Sequence, residues 1–192
     1  MRRLLVQQWV TADSIVAEPD GGLGFVSGEP FAEGDSSPFR AEMMRFIDSV
    51  DTMLLGANTY HQSRDYWPRA TDQGEYGQKL NTMTKLVAST TIDDAPWGDF
   101  SPATVTRDPV SAVRALKEQD GKDLWLWGSL RLMHDLQSAG VVDEYRLLVC
   151  PTTRGQGHRL FLDRHDLRLV EATAFDSGVV LVRYATLGPG RA

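Results

Sequence analysis

The segment from Asp123 to Phe161 constrains the fold more than any other part of the chain. Its apolar run, Leu124-Trp-Leu-Trp127, is too short for a free-standing helix and rich in aromatic residues, which predicts a buried strand. Gly128 ends that run. Ser129 is a suitable N-cap, and Leu130, Met133 and Leu136 then recur at helical spacing until Ala139-Gly140 supplies a stop. A strand, a glycine turn and a helix in this order form the repeating unit of an α/β protein. The N–H groups at the start of such a helix point outward and carry a partial positive charge. Two readings stay open at this step: a seat for a pyrophosphate, or a plain turn at Gly128 followed by a plain cap at Ser129.

The residues after Gly140 narrow the choice. Val141-Val-Asp-Glu-Tyr145 leads into an apolar strand ending at Cys150-Pro151, and then come Gly155-Gln-Gly157 and Leu160-Phe161. The composite resembles the dihydrofolate reductase-like superfamily and, within it, the C-terminal reductase domain of bacterial riboflavin biosynthesis proteins. There a Gly-Gly or Gly-Ser turn, a helix, Val-Asp-Glu, a strand to Pro and Gly-x-Gly-x-x-Leu-Phe succeed one another. The resemblance implies an α/β fold of three layers, α/β/α, with a central mixed, mostly parallel sheet and a C-terminal antiparallel hairpin.

A length of 192 residues suits one domain, expected over 1–187, with a frayed tail at 188–192. With 42% hydrophobic and 24% charged residues, the composition is that of a globular protein rather than a disordered one. The net charge of −6 and the lack of any Lys/Arg stripe argue against nucleic acid or an anionic membrane as partner. No apolar run approaches the roughly 20 residues of a membrane span, and the N-terminus lacks the apolar region and cleavage site of a leader. A single cysteine, Cys150, excludes an internal disulfide framework and suits a reducing cytoplasm. The four histidines are scattered and no Cys/His cluster has zinc spacing, so no metal site is expected.

Along the chain, Leu4–Val10 reads as a first strand, interrupted at Thr11-Ala-Asp-Ser and resumed at Ile15-Val-Ala. In the superfamily the residues at this interruption border the substrate and nicotinamide pocket, which makes Thr11 a substrate-binding candidate and Asp13 the candidate catalytic carboxylate. An equal alternative for Asp13 is a turn cap. Glu18–Ser36, rich in Gly, Pro and acids, reads as a surface loop that packs back or closes as a lid through Leu23, Phe25, Val26 and Phe31. Ser37-Pro38 opens a helix whose apolar face is Phe39, Met43, Phe46, Ile47 and Val50. This helix resembles the pocket wall of dihydrofolate reductases. Arg40 stands where they carry an acid, so Arg40 and Met43 are substrate-side candidates.

Thr52–Leu55 is a short strand closing on Gly56-Ala-Asn-Thr-Tyr60. The similar family segment is Gly-Arg-x-Thr at a helix start that meets the cofactor phosphates. The resemblance therefore assigns Ala57, Asn58 and Thr59 to cofactor binding, with Ala57 in the arginine's place. Tyr66–Gly74 reads as loop, Gln78–Met83 as a helical turn, and Lys85–Ala88 as a strand ending at Ser89-Thr-Thr91. By the same resemblance Ser89 and Thr90 face the adenosine half of the cofactor. Ala95–Gly98 reads as loop, Ala103–Thr106 as a strand, and Asp108-Pro109 as the start of a helix. Arg107, just before that cap, is either a substitute cation for a 2′-phosphate or a solvated loop residue. Gly128, Ser129 and Leu130 complete the cofactor-binding set. Asp176-Ser-Gly178 signals the terminal hairpin.

The resemblance implies an NADPH-dependent oxidoreductase moving a hydride to a heterocyclic small molecule, akin to the uracil reductase of riboflavin biosynthesis or a pterin reductase. It also implies a homodimer. Departures at Arg40, Ala57 and Ser14 support the alternative, a nucleotide- or ligand-binding module without reductase activity.

Overall fold

The computed structural model describes residues 1–26 and 36–187. Its elements begin with β1 Leu4–Thr11, β2 Ile15–Ala17, α1 Pro38–Ser49, β3 Val50–Gly56, α2 Ala57–Tyr66, α3 Gly74–Thr82, β4 Thr84–Ala88 and β5 Ala95–Trp97. They continue with β6 Phe100–Thr106, α4 Pro109–Lys117, β7 Asp123–Gly128, α5 Leu130–Ser138, β8 Glu144–Cys150, β9 His158–Arg159, β10 Leu167–Ala174 and β11 Val180–Thr186. Contacts group the chain into two compact units, Met1–Leu4 with Glu29–Val141 and Leu5–Gly28 with Val142–Ala192.

The first unit alternates strand and helix. Its sheet runs in the order β7-β3-β4-β6-β5. β7, β3, β4 and β6 are parallel, and β5 returns antiparallel along β6. Leu55 pairs with Gly128, Gly56 with Ala88, and Ala88 with Thr106, so the four parallel strands end level. At roughly 4.8 Å between strands, these four ends span about 14 Å.

Local sequence explains the helices. Ser37 Oγ accepts from Arg40 N at 3.1 Å, Pro38 occupies the first turn, and Phe39, Met43, Phe46 and Ile47 form the buried face of α1. Asp108 Oδ1 likewise accepts from Ser111 N at 3.0 Å to start α4. Trp125 and Trp127 share a face of β7 and stack with centroids 4.8 Å apart at 11°. Phe46 meets Trp125 edge-on at 5.2 Å and Trp67 meets Trp127 at 5.3 Å, so the pair is cemented into an aromatic core.

The amino end of β4 is closed by a charge. Buried Lys85 donates to the carbonyls of Asn81 and Met83 at 2.7 and 2.8 Å, at the end of α3, and lies 4.7 Å from the Trp97 ring centroid. Burial pushes its pKa down to about 8.

Two stretches expected as loop are ordered here. Tyr66–Gly74 holds the end of α2 and a 3-10 turn, Trp67–Arg69, in which Pro68 sits where no N–H bond is needed. Ala95–Trp97 is an edge strand, the place where a sheet tolerates its central Pro96.

The second unit has the order β10-β11-β8-β1 and a separate ribbon of β2 with β9. β1 and β8 run parallel, pairing Leu5 with Glu144 through Thr11 with Cys150, while β11 and β10 form the C-terminal antiparallel hairpin. Arg183 on β11 grips Glu144 at 2.7 Å and Glu171 at 2.8 Å, one carboxylate on each neighbouring strand. Gly157 has φ +142°, and a Cβ there would stand 2.5 Å from Ala17 O, so the β2–β9 approach demands glycine. This accounts for the second glycine of Gly155-Gln-Gly157. Phe25 packs back, buried beneath the Arg154 guanidinium at 5.8 Å, whereas Phe31 and the 188–192 tail lie outside the described residues. The mixed α/β fold with a mostly parallel sheet and a C-terminal hairpin is thus present as expected.

Candidate functional site

The carboxyl ends of the parallel strands in the first unit carry two glycine turns in contact. A Cβ on Gly56 would lie 2.5 Å from Ser129 Oγ and 3.2 Å from Ser129 N, and one on Gly128 would lie 2.9 Å from Thr59 Oγ1. Glycine at both positions lets the two backbones approach. Gly56 precedes α2 and Ser129 precedes α5, and neither helix start is capped by a side-chain hydrogen bond. The Gly128–Ser129 peptide is cis. Two helix N-termini, each equivalent to about half a positive charge, therefore converge where Ala57, Asn58 and Thr59 begin one helix and Leu130 the other.

One and two strands further along, Ser89 and Arg107 meet. Ser89 N donates to Thr106 O at 3.1 Å, and Ser89 Oγ accepts from the amides of Thr91 and Ile92 at 3.1 and 3.0 Å, which turns the chain and leaves Thr90 exposed. Arg107 Nη1 donates to Ser89 O and, at 2.6 Å, to Ile92 O, while Nη2 donates to Asp93 Oδ1 at 2.5 Å.

Arg40 and Met43 lie together on α1. Met43 is fully buried. The Arg40 guanidinium sits 5.3 Å above the Tyr76 ring, and its Nη2 is 3.5 Å from Gln73 O. Burial pushes the Tyr76 hydroxyl pKa up, with the Arg40 charge opposing. Two buried atoms in this aromatic region, Trp125 Nε1 and Gln73 Oε1, have no hydrogen-bond partner among the described residues. An unmade bond of this kind costs about 1–3 kcal/mol, which a bound polar group would recover.

In the second unit Asp13 is a hub. Its Oδ1 accepts from the Thr11 hydroxyl at 2.5 Å and from Arg154 N at 3.2 Å, and its Oδ2 from Arg154 N at 3.1 Å and Gly155 N at 2.7 Å. Thr11 Oγ1 accepts in turn from Ile15 N at 2.9 Å, and Ser14 between them takes φ 67°. The Thr11 hydroxyl and the Gly155 amide hold the Asp13 carboxyl below the usual carboxylate range. Arg154 completes the clasp by donating to Glu18 Oε1 at 2.9 Å and Thr152 Oγ1 at 2.8 Å.

Residue by residue, the cofactor set Ala57, Asn58, Thr59, Ser89, Thr90, Arg107, Gly128, Ser129 and Leu130 gathers at the level strand ends of the first unit. Arg40 and Met43 lie elsewhere in that unit, on α1. Thr11 and Asp13 belong to the second. Sequence reasoning missed Arg154 and Asp93, the partners of Asp13 and Arg107. Arg154 had a signal, since it abuts the Gly155-x-Gly157 motif, whereas Asp93 had none. Among the described residues, no group of His, Cys, Asp and Glu is arranged to hold a metal, and no helix is long and apolar enough to cross a membrane.

Comparison with known proteins agrees with this geometry. The uncharacterized protein YyaP of Bacillus subtilis is 28% identical over 189 residues, covering 95% of this chain and 94% of its own. YwjB of the same organism is 25% identical over 183 residues, covering 94% and 96%. A solved Shewanella sp. PV-4 structure named for riboflavin biosynthesis superposes with a TM-score of 0.72 at 16% identity, over 96% of this chain and 99% of its own. RibD of Acinetobacter baumannii gives 0.67 at 12% identity, over 97% of this chain and 58% of its own, so this chain spans just over half of that longer protein. At these identities the two structures speak for the fold. One family model, the RibD C-terminal domain, matches residues 2–181 and so runs through both compact units. The paired glycine turns, the level strand ends and the Val-Asp-Glu strand with its terminal hairpin are therefore features of a chain that belongs to the RibD C-terminal domain family.

Proposed function

We propose that this chain is an NADPH-dependent reductase that transfers a hydride to a heterocyclic small molecule, in the manner of the uracil reductase of riboflavin biosynthesis. One observation carries the reading: nine residues expected to hold the cofactor stand at the ends of four adjacent parallel strands, whose register makes them level. Ligands of open α/β sheets bind outside the carboxyl ends of the strands.

When bound, the reduced dinucleotide supplies the hydride. The chain's own residues bind and orient. Gly56 and Gly128 let the two turns close on each other, and the uncapped amides that this brings together at the starts of α2 and α5 hold a pyrophosphate. Ser89, Thr90 and Arg107 take the adenosine side. Arg40 and Met43, on α1, take the substrate side, where the Arg40 guanidinium is held over the Tyr76 ring. In the second unit Asp13 and Thr11 are positioning residues that hold Arg154 and Gly155 in place. The lone cysteine suits a reducing cytoplasm, and assembly as a homodimer is carried over from riboflavin-type reductases.

Arg40, which stands where dihydrofolate reductases carry an acid and is held over the Tyr76 ring, favours a second reading, a nucleotide-binding module without turnover. Titration with NADPH, followed by quenching of the five tryptophans, tests the common ground. Saturable binding that Gly128→Val abolishes is expected. Absence of binding at millimolar concentration overturns both readings, and single-turnover oxidation of bound NADPH by pyrimidines or pterins separates them.

A further inference from the structure

The Arg107 guanidinium is anchored by two neutral carbonyls, Ser89 O and Ile92 O, and its charge is met by one carboxylate, that of Asp93. Both side chains reach solvent, Arg107 at 48% and Asp93 at 87% relative exposure, so a dissolved ligand has access to the pair. In the sequence Asp94 follows Asp93 and the cap Asp108 follows Arg107, so acids predominate beside this pair. Ala57, at the first position of α2, adds no charge. A dinucleotide carrying a 2′-phosphate brings close to two further negative charges to this end of the strand row. A guanidinium binds phosphate best with two parallel N–H groups, and here one face of Nη2 is already given to Asp93.

Resting on the reading above, we infer that Asp93 tempers the choice between phosphorylated and unphosphorylated nicotinamide dinucleotide: by occupying Arg107 and repelling a second anion, it lowers the preference for NADPH over NADH. The Ser89 and Ile92 carbonyls keep Arg107 in place whether or not Asp93 is charged. Removing the Asp93 charge therefore frees the cation without moving it. An unphosphorylated ribose makes no comparable demand on this pair. Because the pair is exposed, its influence is modest and screened by salt.

The test is a binding measurement, by tryptophan quenching with NADPH and with NADH, on wild type, Asp93→Asn, Arg107→Gln and the double variant, with thermal melting as the folding control. Asp93→Asn is expected to tighten NADPH about fivefold at low salt and NADH less than twofold, with the gain shrinking at high ionic strength. Arg107→Gln is expected to weaken NADPH selectively and to erase the gain from Asp93→Asn in the double variant. Equal shifts for both dinucleotides, no shift in either, or a gain that survives Arg107→Gln would overturn the inference while leaving the reductase reading intact. Failure of wild type to bind either dinucleotide would overturn that reading, and this inference with it.

Discussion

The ends of β3 and β7 in the first compact unit and the end of β1 in the second are treated in opposite ways. In the first, β3 and β7 run into helices whose starts carry no side-chain cap, so polar backbone is left facing outward. In the second, the end of β1 is closed on itself: Asp13 collects the amides of Arg154 and Gly155, and Arg154 reaches Glu18 and Thr152. An uncapped helix start is a standing cost that a ligand can remove, whereas a satisfied clasp holds a loop and asks for nothing further. Stability and binding are therefore written into different strand ends of one chain.

The sharpest way to break this contrast is to fill the open end. Gly56→Val drives two methyl groups toward Ser129 and should weaken NADPH binding at least a hundredfold, with a loss of about 1–3 kcal/mol in urea unfolding. Retention of wild-type affinity would show that the glycine contact has no bearing on the ligand.

A closed end in the first unit offers the next test. Lys85 has a folded-state pKa of about 8 against an ordinary 10.5, so between these values the unfolded chain holds a proton that the folded chain has released. Stability from this group therefore rises with pH across that window, by on the order of 1–3 kcal/mol. The neutral amine still donates to Asn81 O and Met83 O. Between pH 8 and pH 10.5 the change in urea-unfolding stability should be more favourable in wild type than in Lys85→Met by this amount, because the buried Tyr76 and Tyr145 hydroxyls oppose the rise equally in both; parallel profiles would mean that Lys85 is not desolvated.

The smallest expected effect concerns the clasp. Asp13→Asn should speed amide hydrogen exchange at Arg154 and Gly155 about tenfold while changing NADPH affinity less than twofold. Since the Asp13 carboxyl is held below its ordinary value of 3.8, its contribution is present above that value and fades as pH falls through the lower folded one. Wild-type exchange should thus approach that of the variant in strong acid. Loss of cofactor affinity in Asp13→Asn would erase the division of labour.

Much of the fold was legible because its signals are local. Ser37 and Asp108 cap helices where a small polar residue precedes proline, and Trp125 and Trp127 stack because strand parity puts them on one face. The nine cofactor candidates came from the family resemblance rather than from spacing, and what the structure adds is that they stand at the ends of neighbouring parallel strands. What stayed hidden has no local signature. β5 is three residues long with proline at its centre, and β9 is two residues long, so each exists only through its partner strand. The four bonds of Asp13 cross more than 140 residues for three of their number, and spacing along the chain does not announce such a meeting. The grip of Arg107 on Ser89, Ile92 and Asp93 joins two strand ends that adjoin only once β4 and β6 are parallel.

Cys150 closes β8, two residues before Thr152, whose amide donates to the Cys150 carbonyl at 2.8 Å. It is the chain's single thiol, buried, and burial raises its pKa while the nearby Arg154 charge opposes. A reagent in solution can attack it only after the second unit has parted around it. At reagent concentrations high enough to outpace reclosing, the rate at which this sulfur is consumed is then a count of opening events, an internal clock in the native protein that needs no introduced label.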